Sequence, residues 1–367
     1  MPAIQASSKP LVLVTGATGY IAAWVARNLL ERGFDVRGTV RSPSKGQELL
    51  NVFKQLPGYS TKTGKFDFVI VEDIAKAGAF DEAVKGVDAV EHVASPFHLN
   101  ADDPKELIEP AVNGTVGILE SAQKFGGQVQ RIVITSSCAA IGMMRDKPEV
   151  FDEKNWNDYA VQLTEEQGRK ALGVNKYRAS KTLAEKAVWD FVAENPSLSF
   201  DVVVINPPFV FGPPTNHVLT PDNLGTSAAD FYKTVLTREP DAAGKTLEVL
   251  TAKQSNWIDV RDIAEAHARA LLKEQAGGSR IIVSAGSHSW QEWLDVSNAL
   301  APPPYTKHPL ARGTPGAGKD DPPTISYKAE RAKSLLGMSN EEDAEWKYKT
   351  KQETARDMLA DFAQRGW

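Results

Sequence analysis

The sequence is poor in cysteine: one residue, Cys138, in 367. A single thiol cannot close an internal disulfide, so no disulfide framework holds the fold, and no Cys/His cluster at zinc spacing is present. A structural metal is not expected. No apolar run approaches the roughly 20 residues of a membrane helix, and the N-terminal MPAIQASSKP lacks the apolar core of a secretory signal. There is no basic excess either, since 42 Lys and Arg face 47 Asp and Glu for a formal charge of −5. That balance disfavours a general nucleic-acid binder. No internal repeat is evident. The expectation is a soluble, cytoplasmic protein with no membrane or nucleic-acid partner.

An apolar share of 42% with 24% charged residues is ordinary for a chain with a sizeable core. Short apolar runs rich in β-branched residues recur at Leu11 to Thr15, Val36 to Val40, Phe66 to Val71, Val87 to Val93, Arg131 to Thr135, Val202 to Ile205 and Arg280 to Val283. They read as strands buried on both faces. Segments with helical apolar spacing lie between most of them, at Tyr20 to Glu31, Pro104 to Phe125, Lys176 to Glu194 and Asp259 to Lys273. This alternation predicts an α/β fold, a doubly wound parallel sheet of Rossmann type covered by helices on both faces. Prolines 207, 208, 213, 214 and 221 crowd the chain after Asn206 and predict the edge of a smaller C-terminal lobe. On this reading residues 1–206, with 247–284 returning, form a nucleotide-binding domain, and 207–246 with 285–367 form a substrate lobe. Helices are expected at Gln291 to Leu300, Lys328 to Leu336 and Glu341 to Gln364, and a Pro- and Gly-rich loop at Ala301 to Thr324.

The first strand runs into Gly16-Ala17-Thr18-Gly19-Tyr20-Ile21-Ala22, a G-x-x-G-x-x-A turn that opens a helix. Glycines allow a tight turn and close backbone approach to a pyrophosphate, which meets free N–H groups at the helix start. An NAD site usually places an acid about 20 residues later, at the end of the second strand. Here Arg41 and Lys45 stand instead, a guanidinium fork and a point charge suited to the extra phosphate of NADPH. The other reading is that both are solvated surface charges. Asp73 and Ile74 follow the third strand and are expected to flank an adenine; Ala94 and Ser95 follow the fourth.

Tyr177 has Lys181 four residues later, on one face of a helix. A nearby ammonium is expected to lower the tyrosine pKa from about 10 and make it a usable acid or base. Taken alone the pair is as readily structural. A third element, Thr135-Ser136-Ser137, ends the fifth strand forty residues upstream of Tyr177, where a serine hydroxyl can orient a substrate oxygen.

TGATGYIA, ASPF, AVNGT, ITSSCAA, YRASK, INPPFVFGP and WIDVRDIAEAH, in this order, resemble the extended short-chain dehydrogenase/reductase family. The sequence is similar to its dihydroflavonol reductase-like branch, and most to fungal NADPH-dependent methylglyoxal, aldehyde and ketone reductases. The resemblance implies Ser137, Tyr177 and Lys181 as the catalytic triad, with Tyr177 as proton donor and Lys181 also holding the nicotinamide ribose. It implies Gly16, Gly19, Tyr20 and Ile21 at the pyrophosphate, Arg41 and Lys45 as the NADPH-selecting pair, and Pro207 near the nicotinamide. Phe97, Ile141, Gly142, Phe209 and the stretch from Thr215 to Thr226 are expected at the pocket, although each would serve equally as core. Asn113, in AVNGT, is a candidate for proton relay or for structure, and the motif from Trp257 to Asp262 is expected to cap a helix and secure the two lobes. The asparagine-tryptophan-tyrosine-cysteine run of plant cinnamoyl-CoA reductases is replaced by Gly173-Val174-Asn175-Lys176-Tyr177, which disfavours a coenzyme A thioester. Cys138 is read as a buried thiol. The implied activity is reduction of a small-molecule carbonyl by a monomer or homodimer. The alternatives are a nucleotide-sugar epimerase or dehydratase of the same fold, and a non-catalytic NADPH sensor.

Overall fold

The computed structural model describes residues 4, 9–59, 61–95, 101–143, 147–216, 218–237, 245–253 and 255–367. Its strands are β1 (Leu11–Val14), β2 (Asp35–Val40), β3 (Phe66–Ile70), β4 (Ala89–His92), β5 (Arg131–Thr135), β6 (Glu149–Phe151), β7 (Asp201–Asn206), β8 (Phe209–Phe211), β9 (Ser255–Asp259), β10 (Arg280–Ile282), β11 (Ser287–His288), β12 (Ile325–Tyr327), β13 (Met338–Ser339) and β14 (Trp346–Lys347). The helices are α1 (Tyr20–Glu31), α2 (Pro43–Phe53), α3 (Lys105–Phe125), α4 (Asp158–Gln167), α5 (Gly173–Glu194), α6 (Thr226–Val235), α7 (Leu247–Thr251), α8 (Val260–Leu272), α9 (Trp290–Ala299), α10 (Glu330–Leu336) and α11 (Lys351–Arg365).

Seven strands form one sheet in the order β10-β7-β5-β4-β1-β2-β3, every neighbouring pair parallel. They are the seven apolar runs of the sequence; the valines and isoleucines of the inner strands are buried because helices cover both faces, whereas the edge strand β3 leaves Ile70 exposed. On one face α1 packs on α8; on the other α3 packs on α5. The strand order reverses between β1 and β4, so a crevice opens there at the strands' carboxyl ends, the place where such sheets bind ligands.

The smaller lobe is built on the sheet β11-β9-β8 and an aromatic core. There the Trp293 ring meets Phe211 and Trp257 edge to face, each at 5.0 Å. Residues 247–284 divide between the layers: α8 and β10 complete the main sheet layer, whereas α7 and β9 join the smaller lobe. Helix α11 starts later than its periodicity suggests. The expected helix from Glu341 begins only at Lys351, where Thr350 and Glu353 form a capping box, because Trp346–Lys347 pairs in register with Met338–Ser339. Among the described residues no helix is long and apolar enough to cross a membrane.

Candidate active site

The glycine turn lies at the β1-α1 junction. Gly16 has φ +62°, and a Cβ on it would stand 3.1 Å from the Cβ of Ala94. Only glycine combines that conformation with so close an approach. Gly19 caps α1 without a side-chain hydrogen bond, so no side chain occupies the first-turn amides. Tyr20 contributes only backbone to this turn, since its hydroxyl donates to the Gly212 carbonyl at 2.7 Å and links α1 to the smaller lobe. Ile21 is half-buried on α1. At the end of β2, Arg41 is exposed and makes no hydrogen bond or ion pair among the described residues. Ser42 caps α2, and Lys45 in its first turn is exposed and pairs with Glu48 at 2.9 Å. One strand over, the exposed Asp73 accepts from the Ala75 amide, and Ile74 packs against Gly114 of α3. A glycine cradle, uncapped amides and a free guanidinium fit a phosphorylated dinucleotide.

The catalytic candidates converge at the carboxyl end of β5. Helix α5 brings Tyr177 to Ser137, and their hydroxyls hydrogen-bond. Ser137 also caps a short 3-10 turn, accepting from the Ala139 amide at 3.1 Å, and lies 3.5 Å from the Pro207 carbonyl. One turn along α5, the Lys181 ammonium donates to Ser95 Oγ at 2.9 Å. The start of α5 is anchored by Lys176, whose buried ammonium donates to the carbonyls of Ala101, Asp102 and Arg169.

The electrostatics correct one expectation. Tyr177 is not pulled down by Lys181: burial pushes its phenol up to about 12, against the lowering effect of the Ser137 hydrogen bond. Lys181 meanwhile is pushed down to about 8 by burial, opposed by the Glu185 carboxylate one turn further along. Tyr177 therefore holds its proton at neutral pH, as a donor must, and Lys181 is charged there.

Several residues that the motif reading did not single out surround this point. Glu185 accepts from Ser136 Oγ at 2.5 Å and from Asn206 at 2.8 Å with one oxygen, and from Arg280 at 2.5 Å with the other. His92, Thr115, Thr135 and Ser136 line a small cavity with Lys181 and Glu185. The signal for Glu185 was its helical spacing from Lys181; for His92 it was an imidazole at the end of a strand that Ala89 and Val90 mark as buried. Asn113 is exposed on α3, and Thr115, two residues on, is the member of that motif at the cavity.

The pocket candidates separate. Phe97 lies outside the described residues. Ile141 is sealed in a core cluster with Cys138, Phe151, Ile282 and Ile325. Gly142 is buried beside it, and a Cβ there would fall 2.5 Å from the Phe151 ring. Phe209 stands partly exposed on β8, stacked on Phe211 at 6.3 Å. Pro207 is buried next to Ser137. Cys138 points its thiol at the Asn206 carbonyl, and burial pushes its pKa well up. In the motif from Trp257 to Asp262, Asp259 caps α8 and binds Arg261 and Thr354, while Asp262 accepts from Trp346 and the Lys349 amide. These bonds clamp the C-terminal α11 to α8.

The sequence profile of the NAD dependent epimerase/dehydratase family matches residues 12–286. The chain belongs to this family. The chain is similar to ketoreductase azaE of Aspergillus niger, 37% identical over 89% of this chain and 92% of that protein. The NADPH-dependent methylglyoxal reductase GRE2 of Saccharomyces cerevisiae is 34% identical, over 89% of this chain and 93% of its own. Among solved structures, Gre2 of Candida albicans in complex with NADPH superposes with a TM-score of 0.81 at 31% identity, covering 98% of this chain and all of that one. The family's doubly wound sheet is the one described above, an extended short-chain dehydrogenase/reductase architecture.

Proposed function

We propose that this chain is an NADPH-dependent carbonyl reductase that converts an aldehyde or ketone to the alcohol. The observation that carries the proposal is the hydrogen bond between Ser137 and a Tyr177 phenol that burial keeps protonated, one helical turn from Lys181. NADPH, when bound, supplies the hydride for the carbonyl carbon. The Gly16 turn and the first amides of α1 would hold its pyrophosphate, and Arg41 and Lys45 its extra phosphate. Lys181 and Ser95 would meet the ribose of the nicotinamide end, beside Pro207. Ser137 orients the carbonyl oxygen, and Tyr177 donates its proton to that oxygen as negative charge develops there. Substrate enters from the side of the smaller lobe, past the exposed face of Phe209. Ketoreduction by azaE and methylglyoxal reduction by GRE2 support this reading by likeness. The same reading places the enzyme in the cytoplasm as a monomer or homodimer.

The test is absorbance at the reduced-nicotinamide band, with NADPH or NADH, against methylglyoxal, branched aldehydes, diketones and aryl ketones. NADPH-selective loss of signal is expected. Tight NADPH binding with no carbonyl consumed would overturn the proposal in favour of a sensor, or of an epimerase that retains its cofactor.

A further inference from the structure

His92 ends β4, 2% exposed, beneath the catalytic lysine. Its tautomer follows from its neighbours. The Thr15 hydroxyl oxygen accepts from the amides of Val93 at 3.1 Å and Ala94 at 3.0 Å. A hydroxyl oxygen has two acceptor sites, and with both filled its own proton goes to the remaining neighbour, His92 Nδ1, at 3.1 Å. Nδ1 is thus an acceptor, and a neutral ring must carry its proton on Nε2. Burial and the Lys181 ammonium push the ring pKa down to about 3, so the neutral form is the one present.

The Nε2–H group is buried with no hydrogen-bond partner among the described residues. His92 forms the wall of a cavity of about 10 Å³ that it shares with Ser95, Thr115, Thr135, Ser136, Lys181 and Glu185. That is the lower limit of room for one water, which also needs two to four polar partners. Glu185 accepts from Ser136 and Asn206 with one oxygen and from Arg280 with the other, and the Thr135 hydroxyl lies 3.0 Å from His267. The His92 Nε2–H and the Lys181 ammonium are two donors on one wall of this cavity, and a water between them would accept from both and give its own protons to the Thr115 hydroxyl or the Glu185 carboxylate.

We propose that His92 is a positioning residue: its Nε2–H holds one buried water against the Lys181 ammonium, and that water keeps the lysine solvated and charged beside Tyr177. The polar groups that share this cavity with Lys181 are His92 from β4, Ser95 from the loop after it, Thr115 from α3, Thr135 and Ser136 from the end of β5, and Glu185 from its own helix. Of the titratable ones, only Glu185 is an anion that favours the ammonium. Without the water, desolvation of Lys181 deepens and its proton is lost at lower pH.

Two measurements on the wild-type protein need no activity. Nitrogen NMR of the histidine rings, with His92 assigned by its loss in His92→Gln, is expected to report Nε2–H with no protonation down to about pH 5. High-resolution diffraction is expected to place a water within hydrogen-bond distance of both His92 Nε2 and Lys181 Nζ. An Nδ1–H ring, or a dry cavity, overturns the proposal. The kinetic arm rests on the reductase reading. His92→Phe should move the alkaline limb of kcat/KM down by about one pH unit, with the KM for NADPH within about twofold, whereas His92→Gln, whose amide nitrogen reaches the place of Nε2, should restore it. A limb that stays put in a folded His92→Phe enzyme overturns the proposal. Should that variant fail to fold, Thr115→Val removes another polar wall of the cavity and should shift the limb in the same direction; no shift there overturns it equally. If the wild type reduces no carbonyl, the reductase reading falls, while the NMR and the diffraction still decide the role of His92.

Discussion

Two arginine-carboxylate pairs, each with a buried guanidinium, sit on the same sheet and do different things. Arg131 and Asp201 open β5 and β7, at the amino ends of the strands. Arg131 meets Asp201 through two bonds of 2.6 and 2.7 Å and places its other donors on the carbonyls of Ala270, Lys273 and Glu274. All five guanidinium hydrogens are used. Arg280 and Glu185 lie near the other end. Arg280 donates to Glu185 and to the carbonyls of Glu153 and Asn155 and stacks 3.5 Å over the Trp156 ring, but its Nη2 has no hydrogen-bond partner among the described residues. Glu185 in turn reaches Ser136, the neighbour of Ser137, and favours the charged form of Lys181. The first pair is closed on itself and ties strands to α8 and the turn that follows it. The second is open toward the chemistry. In a doubly wound sheet ligands bind at the carboxyl ends of the strands, so the same ion pair is scaffold at one end and electrostatic support at the other.

The comparison can be broken by substitution. The largest effect is expected from Tyr177→Phe, which removes the proton donor: kcat should fall on the order of 10²–10⁴-fold, with NADPH affinity by titration and the melting temperature nearly unchanged. Asp201→Ala should cost about 3–5 kcal/mol by urea unfolding, because it strands a buried guanidinium, yet leave kcat per folded molecule intact. Glu185→Gln should lower both stability and activity, unlike Asp201→Ala. The sign for activity follows from Lys181, whose ammonium is present below about pH 8 and lost above it. Losing the nearby carboxylate lowers that pKa further, so the alkaline limb of kcat/KM should move to lower pH, with a loss of about tenfold at pH 8. If Glu185→Gln changes stability alone, the two pairs are equivalent and the contrast fails. The smallest effect is expected at the exposed rim: Arg41→Ala should raise the KM for NADPH by about tenfold and leave that for NADH unchanged, since a charge-assisted bond to a phosphate is removed from a solvated site.

Much of this was legible in the chain itself. The strands were readable because the inner strands of a sheet covered on both faces are rich in buried valine and isoleucine, and the glycine turn because few residues other than glycine tolerate the φ of Gly16. Helix α2 was not among the helices that periodicity announced, for its apolar side is narrow: Gly46, Leu49 and Phe53 are its buried residues. The beginning of α11 was misplaced by ten residues because apolar periodicity runs on through Trp346, which a short strand pairing removes from the helix. Ile141, expected at the pocket from its place beside the serine motif, turned inward, since position along the chain says nothing of which way a short 3-10 turn aims a side chain.

Patterns of local origin, then, were determined by the sequence alone: strand, helix and turn each carry their own period or backbone constraint, and the spacing of Tyr177 and Lys181 follows from the helix between them. The protonation states were decided by the tertiary structure. That Tyr177 keeps its proton, that Lys181 holds its own weakly, and which nitrogen of His92 bears one depend on burial and on neighbours distant in the chain, such as Thr15, Ser95 and Ser137. A pKa is set by the dielectric and the partners around a group, and only folding brings those together.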